Sequence, residues 1–274
     1  AKIWYGDLGD ADARRLAAWT HDSLRMEFAG ADRYRLAGAS SAKANGSFFA
    51  NNLLRKNRRM NGTNTNEGGW NASEGRSFMN TRLWAAFDYG WRSMIKKVKI
   101  NASAGNGSTE ILTSEDYLYL AANRELGGST SVPYVNEGSA ISWFTSNASR
   151  IKFSDAIRLD GSQVITSDTD PTLLTGYTIN EGDIWINTVN SSYGYIYIPE
   201  EKAALHTTIG CRKVSSSDNI VASDGGLWMR AKWYFERSAA ASSSAIFYYV
   251  SGSGSPNYAN SASGSGGVGL GFSI

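Results

Sequence analysis

The sequence predicts a mixed α+β chain, on three observations. Met79, Leu83, Phe87 and Trp91 recur every four residues and mark one amphipathic helix. Runs that alternate apolar and polar residues follow from Ile95 onward and mark short strands. Glycine, serine and asparagine separate these runs, as turns between short strands require.

Taken in order, Ala11 to Met26 reads as a helix that Asp10 can cap, with Ala13, Leu16 and Trp19 near one face. Residues 1–39 are therefore assigned to an N-terminal helical segment with a role in assembly. Residues 38–69 are polar and rich in Gly and Asn, and read as loop. Asn71-Ala72-Ser73-Glu74 opens the clearest helix of the chain. Trp70 and Arg76 stand beside its stripe and give the pattern W-x-x-S-x-x-R-x-x-x-N. Ile95 to Ile100 alternates as a strand, and Ile111-Leu112-Thr113 and Asp116 to Leu120 read as further strand or short-helix pieces. Gly182-Asp183-Ile184-Trp185-Ile186-Asn187 and Tyr193-Gly194-Tyr195-Ile196-Tyr197-Ile198-Pro199 alternate strongly with turn residues between them, and read as a paired hairpin.

Composition removes several function classes. Formal net charge is +2, too small and too dispersed for a nucleic-acid stripe. The one basic run, Arg55-Lys56-Asn57-Arg58-Arg59, reads as a solvated loop. No apolar run approaches a membrane span, so no membrane insertion is expected. The single cysteine, Cys211, allows no intramolecular disulfide and no thiolate metal cluster. Nine Trp and fourteen Tyr are many for 274 residues and suit a recognition surface.

Catalytic chemistry has little to build on. His21 and His206 are the only histidines, and no G-x-S-x-G elbow accompanies them. Glu115-Asp116 and Glu200-Glu201 are adjacent pairs, which a strand sends to opposite faces. Asp160, Asp168 and Asp170 are irregularly spaced. Ser255-Pro256-Asn257 lacks the carboxylate that a calcium-bound sugar site needs. No enzyme activity, no metal and no cofactor is expected.

The C-terminal segment is the most informative. From Ser238 to Ile274 there is no charged side chain and no Lys, Gln, Glu, Met or Trp. Those five are the amino acids whose codons all end in a purine. Every residue of the segment can be written with a codon ending in C or T, the result of scrambling asparagine codons at their adenines. A flexible Gly/Ser tail is the plainer reading of this composition. Ile246, Phe247, Tyr248, Tyr249, Val250, Val268, Leu270 and Phe272 are too apolar and too regularly placed for that.

The frame around this segment carries a resemblance. Gly225-Gly226-Leu227-Trp228-Met229-Arg230, Trp233-Tyr234-Phe235-Glu236-Arg237-Ser238, Phe247-Tyr248-Tyr249-Val250 and Gly267-Val268-Gly269-Leu270-Gly271-Phe272 resemble the ending of variable proteins of diversity-generating retroelements in Firmicute prophages and gut phages. Ala239 stands where that family often has Pro, and Tyr248 where it often has Cys. The resemblance implies a C-type-lectin-like fold, akin to formylglycine-generating enzymes and phage tropism determinants. It implies a lectin-like domain over 40–274, an inserted β-rich module at 154–222 and a variable region at about 228–274. Trp228, Trp233, Phe247, Val250, Val268, Leu270 and Phe272 become fixed anchors. The matching variable positions are Tyr234, Ser242, Ser244, Ala245, Ile246, Tyr249, Ser251, Ser253, Ser255, Asn257, Tyr258, Asn260, Gly264 and Gly266, with Tyr234, Tyr249 and Tyr258 as binding anchors. The implied partner is a bacterial surface receptor, protein or glycan, met by a homo-oligomer, a trimer for preference, on a phage tail or at the cell surface. A carbohydrate-binding or structural tail module without diversification is the alternative.

Overall fold

Buried backbone groups must find partners, and the short apolar runs here find them by pairing into several small sheets. The computed structural model describes residues 26–50, 53–54, 57–87, 89–142, 144, 146–150, 152–158, 164–165, 184–187, 193–197, 211–214, 220–221, 227–231 and 233–274. The helix expected at 11–26 falls outside these residues except for Met26, which opens a strand instead. The chain divides into two units, residues 1–152 with 233–274, and residues 153–232.

The first unit begins with β1 (Met26–Gly30), β2 (Ser47–Ala50), β3 (Val98–Ser103), β4 (Ile111–Asp116) and β5 (Tyr119–Leu120). The second unit holds β6 (Phe153–Arg158), β7 (Val164–Ile165), β8 (Ile184–Asn187), β9 (Tyr193–Tyr197), β10 (Cys211–Val214), β11 (Ile220–Val221) and β12 (Leu227–Ala231). The chain then returns to the first unit with β13 (Tyr234–Ala239), β14 (Ile246–Val250), β15 (Tyr258–Ser261) and β16 (Leu270–Ser273).

In the second unit β8 and β9 form the antiparallel hairpin expected from their alternation. They lie in a five-stranded sheet of order β10-β8-β9-β12-β6, in which only β10 and β8 run parallel. The unit takes in the whole of 154–222 and also β12. Trp228 therefore belongs here and not with the C-terminal anchors, because its strand pairs with β6 and β9.

In the first unit, β1-β2-β16-β5 form one antiparallel sheet, β13-β14-β15 a second and β3-β4 a ribbon. The C-terminal strand β16 lies between β2 and β5, so the last residues of the chain are central. Phe49, Trp70, Leu118, Tyr119, Phe247 and Leu270 are among the residues of the common core.

The helical stripe packs as its spacing predicts: Met79, Leu83 and Phe87 are buried and Trp91 is packed against the core. The helix itself is broken. It starts at Glu74, with Ser73 as the cap that accepts from Arg76 N. A π-helical stretch spans Met79–Leu83, and extended backbone at Phe87 precedes a last helix at Tyr89–Met94. The W-x-x-S-x-x-R-x-x-x-N pattern is a clamp on the end of β4. Trp70 Nε1 donates to Asp116 Oδ2 at 2.8 Å, and Arg76 Nε to Asp116 Oδ1 at 2.6 Å. Asn80 accepts from Tyr117 N and Leu118 N and donates to Leu118 O. The wide π turn at Asn80 accompanies this side-chain insertion. Glu115 and Asp116 do face opposite ways: Asp116 is buried, while Glu115 is part-exposed near Lys97.

Arg237 is fully buried at the centre of the first unit. Its Nη1 donates to Glu125 Oε2 and to Leu120 O, both at 2.7 Å, its Nη2 to Glu137 O at 2.7 Å and its Nε to Asn101 O at 3.0 Å. Burial pushes the Glu125 carboxyl up, but Arg237 and Arg33 outweigh it and hold the group below its ordinary 4.5. Replacing Arg237 with Met should cost roughly 3–5 kcal/mol, because it strands the Glu125 charge in the core. Adding Glu125→Gln should recover only part, since the carbonyls of Leu120, Glu137 and Asn101 still lack their donor. Urea unfolding of the two variants measures both effects.

Candidate functional site

The candidate face is built on β13, every residue of which is buried. Two extra residues bulge β13 between the Phe235–Tyr249 and Ala239–Phe247 pairs. The bulge turns Glu236, Arg237 and Ser238 inward. Beyond it, Phe247 and Val250 of β14 are buried, as are Val268, Leu270 and Phe272, all anchors expected from sequence. Trp233 is only part-buried, packed against the core.

Two of the fourteen proposed display positions are not displayed. Tyr234 is 2 % exposed, and its hydroxyl donates to Arg150 O at 2.8 Å. Gly266 is buried under aromatic rings, and a side-chain carbon there would stand 2.3 Å from Trp233 Cζ3. Tyr234 is thus core, and Gly266 is a seat for an indole that no other residue can provide.

The other twelve lie on the surface or half-buried. Ser242 and Ser244 are exposed in the turn between β13 and β14, with Ala245 half-buried beside them. Ser251, Ser253 and Ser255 are half-buried in the next turn and bond to one another: Ser251 Oγ to Ser253 Oγ at 2.8 Å, and Ser255 N to Ser251 Oγ at 3.1 Å. Gly254 closes that turn at φ 85°, where a side-chain carbon would fall 1.8 Å from Asn147 O. Asn257 and Tyr258 are exposed, and Asn260 and Gly264 half-buried.

Register sorts the strand positions. Tyr249 lies opposite Tyr258 and Phe247 opposite Asn260, so these four share a face. Ile246 and Tyr248 point to the other face, where Tyr248 packs edge-on against Tyr134 at 5.1 Å. The expected single face therefore gathers Tyr249, Tyr258 and Asn260 but not Ile246.

The backbone of this region is held from outside it. Leu54 N donates to Val268 O, Arg58 and Gly266 exchange both backbone bonds, and Met60 N and Asn61 N donate to Ala262 O. Asn66 is fully buried; its Nδ2 donates to Ala240 O, Ser243 O and Ile246 O, and its backbone N to Ser244 O. Sequence reasoning read 38–69 as loop and missed Asn66. Neither periodicity nor composition marks it, because its partners lie some 175 residues away. Of the basic run, Arg55 and Lys56 lie outside the described residues, and the Arg58 guanidinium sits 4.3 Å over the Phe78 ring.

Glu236 of β13 is fully buried, and neither of its carboxylate oxygens has a hydrogen bond of good geometry; Asn123 lies beside it. Burial, with the nearby Glu137 charge, holds its carboxyl well above the ordinary 4.5, against the pull of Asn123, Arg150 and Arg237. Lys152, also buried, donates to Ala50 O beside the Phe49 and Tyr234 rings, and burial pulls its ammonium down to about 8. Among the described residues no cluster of His, Cys, Asp or Glu is placed to hold a metal ion, and no helix is long and apolar enough to cross a membrane. His21, His206, Glu200, Glu201, Asp160, Asp168 and Asp170 lie outside the described residues, as does the side chain of Cys211.

Two measurements check this arrangement. Joint replacement of Ser242, Ser244, Asn257 and Tyr258 by Ala should shift stability by no more than about half a kcal/mol per site, whereas Phe247→Ala or Phe272→Ala should each cost roughly 3–5 kcal/mol. Thermal melts compare the two sets. Because the folded-state carboxyl of Glu236 is raised, the folded chain holds a proton that the unfolded chain has released above pH 4.5. Stability should therefore fall as pH rises from 4.5 through the folded-state value. Glu236→Gln fixes the neutral form, so its advantage over the unsubstituted chain should grow from pH 4.5 to neutrality in pH-stepped urea titrations.

Neither a curated protein nor a solved structure matches the chain significantly. A family model described as Domain of unknown function (DUF6273) matches residues 45–274, which span both units. With well over half its length matched, the chain belongs to the DUF6273 family.

Proposed function

We propose that this chain is a non-catalytic receptor-binding protein that presents its C-terminal segment as a diversified recognition face. One observation carries the reading. Around Ser242 and Ser244 the backbone is held by Asn66, and beside Asn257 and Tyr258 by Asn123, which donates to Pro256 O, and by the pairing of β15 with β14. At Ser242, Ser244, Asn257 and Tyr258 the backbone is held without the side chains displayed there, so these four positions can change while the face keeps its shape. Tyr249 and Tyr258 supply contact area with little rotamer entropy to lose and a hydroxyl each for hydrogen bonding. The uncharged, codon-compatible composition of residues 238–274 supports generation by a retroelement. The C-type-lectin-like fold, the phage tail and the bacterial surface receptor belong to the same proposal. A homotrimer suits it, because several weak sites engaged together bind tightly.

Tyr258→Ala should abolish attachment of the purified chain to receptor-bearing bacterial cells while leaving its melting temperature almost unchanged, because that ring is exposed; Tyr249→Ala also loses packing against the core and should lower it. Attachment retained at full strength would remove the face from the binding site. At the gene, an adenine-rich near-repeat of the 3′ end beside a reverse transcriptase is the expected neighbour. Sedimentation equilibrium at micromolar concentration should return three times the 29.7 kDa chain mass.

A further inference from the structure

We infer that Trp233, Tyr249 and Tyr258 form a stacking platform for neutral sugar rings. This rests on the reading of the C-terminal face as a binding face, and gives that face a ligand class.

The three rings are contiguous. Trp233 and Tyr249 have ring centroids 4.9 Å apart, and Tyr249 and Tyr258 5.6 Å. Tyr258, the outermost, is 51 % exposed, while Trp233 and Tyr249 are half-buried. The array is held rigid from behind. Phe235 meets the indole edge-on at 5.1 Å, and Gly266 presses bare backbone against it where a side-chain carbon would collide. Tyr249 and Tyr258 are locked side by side by the β14–β15 register. Asn260 lies on the same face, and its Oδ1 accepts from Ser261 N, which orients the amide at the rim.

Size and charge decide what fits. With one ring half exposed and two mostly covered, the open ring surface is on the order of 200 Å². A stable protein partner needs about 800 Å² on each side. The area instead suits one or two sugar rings. No side chain from Ser238 to Ile274 is charged, so the segment gives an ionic ligand no counter-charge. An aromatic face is electron-rich and attracts C–H groups that carry partial positive charge. A neutral pyranose presents such C–H groups on its faces and hydroxyls around its edge. The rings take the first, and the two phenolic hydroxyls and the Asn260 amide take the second.

The test is titration calorimetry of the full chain with soluble neutral oligosaccharides of glucose, mannose and N-acetylglucosamine, with oligogalacturonate as the acidic comparison. At least one neutral series should bind, and Tyr258→Ala should weaken it about tenfold or more. Tyr258→Phe, which keeps the ring, should change it less than about threefold. Tyr248→Ala, on the opposite face, should leave it unchanged. Binding confined to oligogalacturonate, or a neutral affinity that Tyr258→Ala does not alter, overturns the inference. A second arm separates it from the reading beneath it. Periodate, which cleaves sugar diols, should abolish attachment to bacterial cells, and protease treatment of the cells should not. Attachment that survives periodate and is lost to protease overturns the glycan class and keeps the binding face. No attachment to any strain of a broad bacterial panel, with no neutral oligosaccharide bound, overturns both.

Discussion

The first unit depends on one buried cation. Arg237 is the last charged side chain of the sequence, and it carries its charge into the middle of the core. Four of its hydrogen bonds reach β5 and the stretches around Asn101, Glu125 and Glu137. Tyr34 completes the arrangement by donating to the other oxygen of Glu125, whose first oxygen also accepts from Ala122 N. A guanidinium suits this place because its planar fork addresses a carboxylate and several carbonyls at once. The bulge in β13 brings it there, so the irregular register of that strand is a condition of the fold. A buried pair of this kind adds little net stability against apolar residues of equal volume, but it penalises every arrangement that leaves it unmatched. Here it fixes which carbonyls face β13, and thus where the C-terminal hairpin begins.

The C-terminal segment would be poorly specified on its own. It is rich in Gly, Ser and Ala, and its strands are short. Its order comes from a framework distant in sequence. Leu54 and residues 58–61 lie along residues 262–268 through paired backbone bonds, and Asn66 fastens the turn at 240–246. Asn66 is effective because it is fully buried, where an amide that gave up water must find partners within the protein. Ser103 adds another tie, its hydroxyl donating to Ala239 O at 2.6 Å. None of these ties uses a displayed side chain; in the 251–261 stretch Ser251 and Asn260 add their own, accepting from Ser255 N and Ser261 N.

What could be read from sequence follows from the range of each signal. The stripe Met79, Leu83, Phe87 and Trp91 was legible because helical periodicity is local, and so were the β8–β9 hairpin and the anchors Phe247, Val250 and Phe272. The break at Phe87 and the π stretch before it were not. They answer to Asn80 gripping Tyr117 and Leu118, contacts made nearly forty residues away. The loop reading of 38–69 holds for most of its described residues but missed β2 and what the loop does: its bonds run to the far end of the chain, and polar residues that bond there look the same in sequence as polar residues in water. Tyr234 was misread through position alone. A tyrosine between two variable-looking stretches looks displayed, yet β13 is buried on both faces and its hydroxyl has a backbone partner inside. Trp228 was misplaced because the boundary between the units falls after β12 and carries no Pro or Gly to mark it.

The distribution of small residues has a further consequence for the face itself. Gly266 is indispensable because a ring lies on it, and Gly254 because the Asn147 backbone does. Ser242, Ser244 and Asn257 stand in turns where their side chains leave the protein. Small size therefore has opposite meanings at neighbouring positions: at some it is required by what packs above, at others it is open to change. Composition averages the two, which is why a Gly/Ser-rich segment resembles a linker until the packing of each glycine is known. The aromatic rings mark the division. Where a ring is braced from behind, as Trp233 is by Phe235 and Gly266, its neighbours are fixed in kind. Where a ring projects, as Tyr258 does, it is supported by one neighbour and open to solvent on its remaining side. On the proposed binding face, rigidity would come from the first kind and specificity from the second, and the two meet at Tyr249.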